Sequence, residues 1–203
     1  MAAHDWNEAS IAAAISRQTL KIRCLLLVDR CNWTGCEGDV LGVLGVTADL
    51  RIIDVEIKIS RADLRADARK DKWWVRQFGR WSAEAQAYVQ PPDVARPWPQ
   101  KVWKHYYALP AEIWSDDLLD ALPSKASGVL LLNGKKDGSV VVTCRRRATP
   151  DRAATTLTAA QALDIARLAN LRMWDAYEAA RVARAERDAA APPRELAADG
   201  VPA

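Results

Sequence analysis

The sequence predicts an α/β or α+β domain in which helices flank a mixed central β-sheet. The chain has 203 residues, which suits one domain with a short appendage. Half of its residues are hydrophobic, which excludes an intrinsically disordered chain. Helix-like and strand-like segments follow one another as helix, three strands, helix, strand, helix, hairpin and helix, an order typical of mixed sheets. No apolar run reaches the ~18 residues that a membrane span needs.

The first elements are a helix and three strands. Asp5 and Glu8 have the spacing of a capping box and predict that a helix begins there. Apolar runs of strand length follow at 22–28, 40–46 and 51–59. A short turn after residue 46 predicts that the second and third strands are antiparallel.

The third strand has the clearest pattern, because apolar and polar side chains alternate along it. The apolar side chains are Ile53, Val55, Ile57 and Ile59, and the polar ones are Asp54, Glu56, Lys58 and Ser60. The pattern predicts one buried face and one polar face.

The remaining elements complete the sheet and end in a long helix. Ser60 is expected to cap a helix that runs to about residue 78. After a proline-rich loop, the patterns predict a strand at 104–109, a helix at 112–122, a hairpin at 128–132 and 139–144, and a helix from the Thr158–Gln161 capping box to about 189. We therefore expect a core domain at 1–150, a C-terminal helix at 151–190 and a flexible tail at 191–203.

The charge and the cysteine content restrict the class of protein to which the chain can belong. The net charge is only +3, from 29 basic and 26 acidic residues, so the chain as a whole is not polybasic. Residues 61–80 nevertheless hold seven basic and three acidic side chains. The four cysteines have neither the density of a small secreted domain nor an export signal, which favours reduced thiols and a cytoplasmic location.

Three charged residues make a candidate site. Glu56 and Lys58 share one face of the third strand, and an antiparallel second strand brings Asp39 to the same end of the sheet. Two carboxylates beside a lysine suit Mg²⁺ and the stabilisation of charge on a phosphodiester. The alternative is a solvent-exposed cross-strand charge pair, which stabilises a fold little.

These residues resemble a known nuclease signature. Gly38-Asp39, sixteen intervening residues and Glu56-Ile57-Lys58 resemble the core motif of the PD-(D/E)XK nuclease superfamily, with Gly38 in place of the proline. The segment IDVEIKISRADLRADARKDKWW is similar to the MmcB-like and phage restriction-endonuclease-like branch. The later segments HYYALPAEI and VVTCRRRA also resemble that branch, so the resemblance covers roughly residues 5–148.

The resemblance implies a restriction-endonuclease-like core and a Mg²⁺-dependent deoxyribonuclease of a phage or of DNA repair, in a bacterial or phage-infected cell. Asp39 and Glu56 would bind one or two Mg²⁺ ions, for which Mn²⁺ is expected to substitute. Lys58 would orient the attacking water or offset phosphate charge. A further carboxylate is implied, for which Glu8 and Glu37 are the candidates, although Glu8 also fits a helix cap.

The segment after the third strand suggests a surface for DNA. On the predicted helix, Arg61, Arg65 and Arg69 form one line, and three aspartates form another, about 200° away. We expect the basic line, with Lys70 and Lys72, to contact the phosphates of duplex or single-stranded DNA. The alternative is a solvated charged helix face.

Aromatic residues concentrate after this segment. Six of the nine tryptophans lie between Trp73 and Trp114. Most are expected in the core, whereas Trp98, in the proline-rich loop, is the candidate for stacking on an unpaired base.

Two other functions stay open. The chain is expected either to be a nuclease or to be a non-catalytic nucleic-acid-binding relative whose acidic residues are structural. The third possibility is an interaction protein. Whichever function is correct, the C-terminal helix is a candidate surface for a homodimer.

Overall fold

The computed structural model describes residues 5–21, 24–33, 38–44 and 50–190. The α-helices in these ranges are α1 (Glu8–Ile15), α2 (Arg61–Asp67), α3 (Leu118–Ala121) and α4 (Ala159–Ala190). The strands are β1 (Cys24–Cys31), β2 (Gly38–Leu44), β3 (Ile52–Ile57), β4 (Trp74–Val75), β5 (Arg80–Ser82), β6 (Ala87–Val89), β7 (Val94–Ala95), β8 (Val102–Pro110), β9 (Gly128–Gly134) and β10 (Val140–Arg146).

The predicted mixed sheet is confirmed. Six strands lie in the order β1-β2-β3-β8-β9-β10. Strand β2 is antiparallel to both β1 and β3, strands β3, β8 and β9 run parallel, and β10 returns antiparallel to β9. The parallel step from β3 to β8 requires a crossover connection, and α2 and the segment after it provide that connection.

Helices cover both faces of the sheet. Ile53, Val55 and Ile57 of β3 pack with Ile11 and Ile15 of α1 on one face. The opposite face carries two further apolar clusters, one beneath α4 and one around α2 and α3. Each face therefore buries apolar surface, which is the main favourable contribution to folding.

Strand β3 is buried along its whole length. Its polar face was expected to meet water, yet Asp54 is only 4% exposed and Glu56 only 2% exposed. This prediction is wrong because the segment that follows α2 folds back over the polar face. The alternative of a charge pair at a solvent-exposed surface is therefore also wrong.

The first helix begins differently from the prediction. Asn7, and not Asp5, is the N-cap: its side chain accepts a hydrogen bond from the Ser10 backbone N–H at 2.9 Å. Ser10 closes the capping box towards the Asn7 backbone. Glu8 is therefore the first helical residue, and capping does not require its side chain.

The helix that follows β3 is shorter than predicted. Ser60 caps it as expected, accepting a hydrogen bond from Asp63 N–H, but α2 ends at Asp67 rather than near residue 78. Continued helical geometry would turn Lys70 and Lys72 about 200° apart, whereas both side chains contact the same glutamate. The predicted helix at 112–122 is also interrupted: a 3₁₀ turn at Ala111–Ile113 precedes the short α3.

A small arm lies between α2 and β8. Strand β4 pairs with β7, and within that connection β5 pairs with β6. Arg76 bridges the base of the arm through ion pairs to Asp71 and Asp93. The predicted proline-rich loop therefore contains the strand β7.

The long C-terminal helix is confirmed. Thr158 and Gln161 form the expected reciprocal capping box. Ile165 is buried against β1 and β3 residues, which fixes the first half of α4 to the core. Of the helices described, none is both long enough and apolar enough to cross a lipid bilayer.

Candidate functional site

The centre of the sheet brings Asp39 beside the Glu56–Lys58 step of β3. Val40 pairs with Val55, so the antiparallel register continues with Asp39 opposite Glu56. The Ile57 backbone N–H donates a hydrogen bond of 2.5 Å to Asp39 Oδ2. This contact holds the Asp39 carboxylate at the end of β3, on the face that carries Glu56.

The parallel strand β8 adds two residues to that face. Asp54 lies opposite His105, and Glu56 lies opposite Tyr107. His105 and Tyr107 are both fully buried, and their rings meet edge to face. His105 Nδ1 and Ser127 Oγ are 3.0 Å apart, which fixes the orientation of the imidazole.

Glu56 is surrounded by three lysine ammonium groups. Its Oε1 atom lies 2.5 Å from Lys72 Nζ, 3.3 Å from Lys70 Nζ and 3.6 Å from Lys58 Nζ. Lys58 and Lys72 are themselves buried, whereas the Lys70 side chain is half-exposed. A buried carboxylate is stable only with such compensation, because an isolated buried charge costs several kcal/mol.

Asp67 is the second anion that these lysines share. Its Oδ1 atom lies 3.0 Å from Lys70 Nζ and 3.2 Å from Lys58 Nζ, and its Oδ2 atom lies 3.4 Å from Lys72 Nζ. The Trp73 indole and the Tyr107 hydroxyl also donate hydrogen bonds to Oδ2. Burial alone would raise the pKa of Asp67, but Lys72, the Tyr107 hydroxyl and Lys58 hold it well below its usual range.

We call this group the carboxylate–lysine cluster. Its members are Glu56, Lys58, Asp67, Lys70 and Lys72. Although burial would lower the pKa of Lys72, Glu56 and Asp67 raise it, so its ammonium stays charged. The cluster holds three cations and two anions, and the excess positive charge faces the two other carboxylates, Asp39 and Asp54.

Asp39 and Asp54 have less favourable surroundings than the cluster anions. Burial raises the pKa of Asp39 to about 6; the Ile57 hydrogen bond opposes this rise, and the charges of Glu56 and Glu8 add to it. Burial likewise raises the pKa of Asp54 to about 7 against the opposing charge of Lys72. Within the described residues, Asp54 Oδ1 is buried without a hydrogen-bond partner.

The two additional carboxylate candidates have different outcomes. Glu8 is exposed at the start of α1, and its charge contributes to the raised pKa of Asp39, so it lies within electrostatic reach of the site. Glu37 lies outside the described residues. In the described ranges, no three His, Cys, Asp or Glu side chains are gathered closely enough to hold a metal ion.

The residues predicted to contact DNA fall into two groups. Lys72 and Lys70 belong to the cluster, and Lys72 is too deeply buried to reach a phosphate in this conformation. Arg61 and Arg65 are exposed on α2, where Arg61 donates a hydrogen bond to the Ile113 carbonyl and Arg65 pairs with Asp117. Arg69 is exposed beyond the end of α2.

The two charge lines on the predicted helix do not extend as expected. Since α2 ends at Asp67, neither Arg69 nor Asp71 continues a line. Asp67 is neutralised by lysines of its own chain rather than by an outside partner or a metal.

Trp98 is partly buried and anchored. Its indole N–H donates a hydrogen bond of 2.9 Å to the Thr149 carbonyl. The ring lines an open cleft of about 410 Å³ with Arg96 and Lys101. The remaining ring surface could still stack on a base, but the indole nitrogen is already bonded.

Several site residues were not identified as such from the sequence. Asp67 appeared only as a member of a charged helix line, and Tyr107 only as an aromatic residue. The available signal was the alternation of His105 and Tyr107 along the strand predicted at 104–109, which places both side chains on one face of that strand.

The Asp39 and Glu56 carboxylates determine what this site can bind. Asp39 and Glu56 present carboxylate oxygens from adjacent strands, which is the ligand type that Mg²⁺ prefers. Within the described residues, the three lysine contacts of Glu56 fall on Oε1, and the hydrogen bond from Ile57 N–H to Asp39 falls on Oδ2. These are two carboxylates of the kind that a hard divalent cation binds, and no third His, Cys, Asp or Glu of the described residues joins them as a metal-binding group.

Comparison of the chain with protein-family models, with curated proteins and with solved structures found no match.

Proposed function

We propose that this protein is a Mg²⁺-dependent nuclease that hydrolyses DNA phosphodiester bonds, with Asp39, Glu56 and Lys58 at its centre. The observation that carries the proposal is the hydrogen bond from Ile57 N–H to Asp39 Oδ2, which brings the two carboxylates of the motif together at one end of the sheet. The raised pKa of Asp39 adds to it, because a carboxylate with this much burial and neighbouring negative charge is stabilised by a bound cation.

The fold is compatible with the proposal. A mixed sheet with α1 on one face and α2 on the other is what a restriction-endonuclease-like core requires of these elements. Asp39 lies on β2 and Glu56 on β3, and Lys58 directly follows β3 with its backbone N–H bonded to the Ala108 carbonyl of β8, which favours a rigid site.

Each residue has a role in this proposal. Asp39 and Glu56 would hold the cation, which supplies charge stabilisation to the phosphodiester in the transition state. Lys58, which is as deeply buried as Lys72, would orient the attacking water, and Asp67 holds the Lys58 ammonium in place at 3.2 Å. Lys70 and Lys72 pair with the buried Glu56 carboxylate at 3.3 Å and 2.5 Å.

The substrate surface would lie beside this centre. Arg65 and Arg69 are exposed basic groups on and after α2, and α2 itself covers the polar face of β3. We place the DNA backbone along these two residues. The proposed location of the protein is the cytoplasm, which suits a DNA substrate.

The proposal is tested by incubating the purified protein with supercoiled plasmid and with single-stranded circles, in Mg²⁺ or Mn²⁺ and with a chelator. Glu56→Ala and Lys58→Ala should each abolish cleavage, and each variant should remain folded. Asp116→Asn, which removes a carboxylate paired with Arg145 on the surface, is the matched control and should cleave normally. Metal-dependent cleavage that persists in both site variants would contradict the proposal.

A second candidate function is favoured by one specific observation. Glu56 and Asp67 are already neutralised by three lysines, so the cluster satisfies itself without a metal. This favours a nucleic-acid-binding protein of the same architecture whose cluster is structural. Crystals soaked in Mn²⁺ distinguish the two: anomalous density between Asp39 and Glu56 supports the nuclease, and its absence at saturating Mn²⁺ supports the binding protein.

A further inference from the structure

Helix α4 extends well beyond the core. Ile165, on the inner face of this helix, is buried, Leu168 and Ala169 pack on the same apolar cluster, and Arg172 contacts Asp29 and the Arg30 carbonyl. Every residue from 173 to 190 is exposed. Since helices in proteins are stabilised mostly by packing, this second half lacks the support that the first half has.

The face of α4 turned away from the core carries several exposed apolar side chains, which lie among charged ones such as Arg167 and Arg181. At about 100° per residue, Leu163 and Trp174 lie almost opposite Ile165 and Arg172. Leu163 is 70% exposed, Trp174 57% and Tyr177 65%, and the rings of Trp174 and Tyr177 meet edge to face with centroids 6.0 Å apart. Surface apolar residues at helical spacing on one stripe are typical of an interface.

Within one chain Arg181 pairs with Glu178 at 2.6 Å, and the charges that share this face with the apolar stripe are also complementary between two copies under one specific pairing. If two copies of α4 pair antiparallel about a two-fold axis between residues 172 and 173, Leu171 meets Trp174 and Leu163 meets Val182. The same register sets Arg167 against Glu178 and Asp164 against Arg181, each an opposite-charge pair. A parallel pairing would instead place each of these charges beside its own copy.

We infer that α4 is the dimerisation surface of this protein and that its partner is the α4 of a second copy, packed antiparallel in this register. The exposed second half of each helix would then rest on the supported first half of the other. Each core lies on the far side of its own helix, because the docked face and the apolar stripe are opposite. The inference is independent of the proposed nuclease activity.

The test is the mass of the full chain in solution, measured by light scattering and sedimentation over a range of concentrations. Wild-type protein should have twice the mass of one chain at high concentration. Arg167→Glu and Glu178→Arg should each weaken dimerisation by about tenfold or more, because each places like charges together twice across the two-fold axis. The double variant should recover the dimer.

Arg187→Glu is the matched control, since Arg187 lies on α4 away from the stripe, and it should leave the dimer unchanged. Circular dichroism confirms that each variant keeps its helix content. A wild-type monomer at every concentration overturns the inference, as does a dimer that Trp174→Glu leaves intact. Failure of the double variant to recover the dimer overturns the antiparallel register.

Discussion

At the scale of single residues, the site separates carboxylates that are compensated from those that are not. Glu56 and Asp67 each lie within ion-pair distance of three lysines. Asp39 and Asp54 have raised pKa values instead, with burial as the main cause for each. Residues that cost stability where they stand are candidates for function, because folding alone gives no reason for their charge.

Asp39 should therefore cost stability rather than supply it. In Asp39→Asn the amide oxygen can still accept the Ile57 hydrogen bond, while the buried charge is lost. With a folded-state pKa of about 6 against 3.8, and allowing for solvent screening, we expect the variant to be more stable by about 1 kcal/mol at pH 8. Urea unfolding measures this; a variant less stable by 1 kcal/mol or more would show that Asp39 is structural.

Asp54 should give the protein a distinctive pH dependence. Because its folded-state pKa of about 7 exceeds the unfolded value of 3.8, its protonated form stabilises the fold, and this contribution is lost as pH rises from about 4 to about 7. Relative to wild type, Asp54→Asn should gain up to about 1.4 kcal/mol per pH unit across this window.

His105 gives wild type a second pH dependence of opposite sign. Burial holds the pKa of His105 well below its usual range, so His105 raises stability as pH rises towards about 6.5. Its Nε2 atom lies 3.7 Å from Asp54 Oδ2, so the difference between Asp54→Asn and wild type includes the coupling between the two residues. Denaturant unfolding at several pH values gives the difference curve. A flat curve between pH 4 and 7 would contradict the assigned burial of the Asp54 charge.

The sequence identified part of this chemistry and missed the rest for a physical reason. The spacing of Asp39, Glu56 and Lys58 was enough to place them on one sheet face. Neither Asp67 nor Tyr107 could be assigned to the site, because their contacts depend on where α2 ends and on which strand lies beside β3. Both are tertiary facts that local patterns do not contain.

At the scale of elements, the turn after α2 builds the cluster. The chain leaves the helix at Asp67, and backbone hydrogen bonds from Arg69 and Lys70 to Ala66 and Asp67 tighten the turn. Both lysines that follow then point into the site. The helical periodicity of the sequence continued past this point, so a prediction from periodicity overran the true end.

The two lysines of this turn should differ in their importance for stability. Lys72→Met leaves Glu56 and Asp67 buried with one ammonium fewer, which should cost about 3–5 kcal/mol. Lys70→Met removes an ammonium that pairs with the same two carboxylates from a half-exposed position, and should cost much less. Urea unfolding compares the pair, and equal losses would contradict the view that burial sets the cost.

The exposed arginines of the same segment should govern electrostatic binding. Replacing Arg65 and Arg69 together by Ala should reduce the slope of log affinity against log salt for duplex DNA by about 2, because each arginine would neutralise about one phosphate. Arg76→Ala is the matched control, because Arg76 is held by Asp71 and Asp93 at the base of the arm. An unchanged slope in the double variant would remove α2 from the DNA surface.

Helices and strands were predicted correctly where a strong hydrophobic pattern was accompanied by a local signal such as a turn or a capping box. The β9–β10 hairpin and the α4 capping box were both recognised from the sequence and confirmed. The start of α1 was placed too early, because Asp5–Glu8 and Asn7–Ser10 offer competing caps in the same few residues. The short strands of the arm carry too few residues to be seen by periodicity.

At the scale of the whole molecule, the mixed sheet gives the site its position. Strands β3 and β8 run parallel in the middle of six, so the polar residues of both meet on one face beneath α2. Helix α1 seals the opposite face, and α4 covers the β1 side. The proposed centre is therefore buried and rigid. It lies in a chain whose net charge is only +3.

The most direct test of the central claim is the rate at which Asp39→Asn nicks supercoiled DNA in Mg²⁺, measured beside wild type and the Asp116→Asn control. The account predicts that wild type and the control cleave, and that Asp39→Asn is slower by about 10²-fold or more while remaining at least as stable. If wild-type protein does not cleave, or if Asp39→Asn cleaves at the wild-type rate, the proposed centre is contradicted.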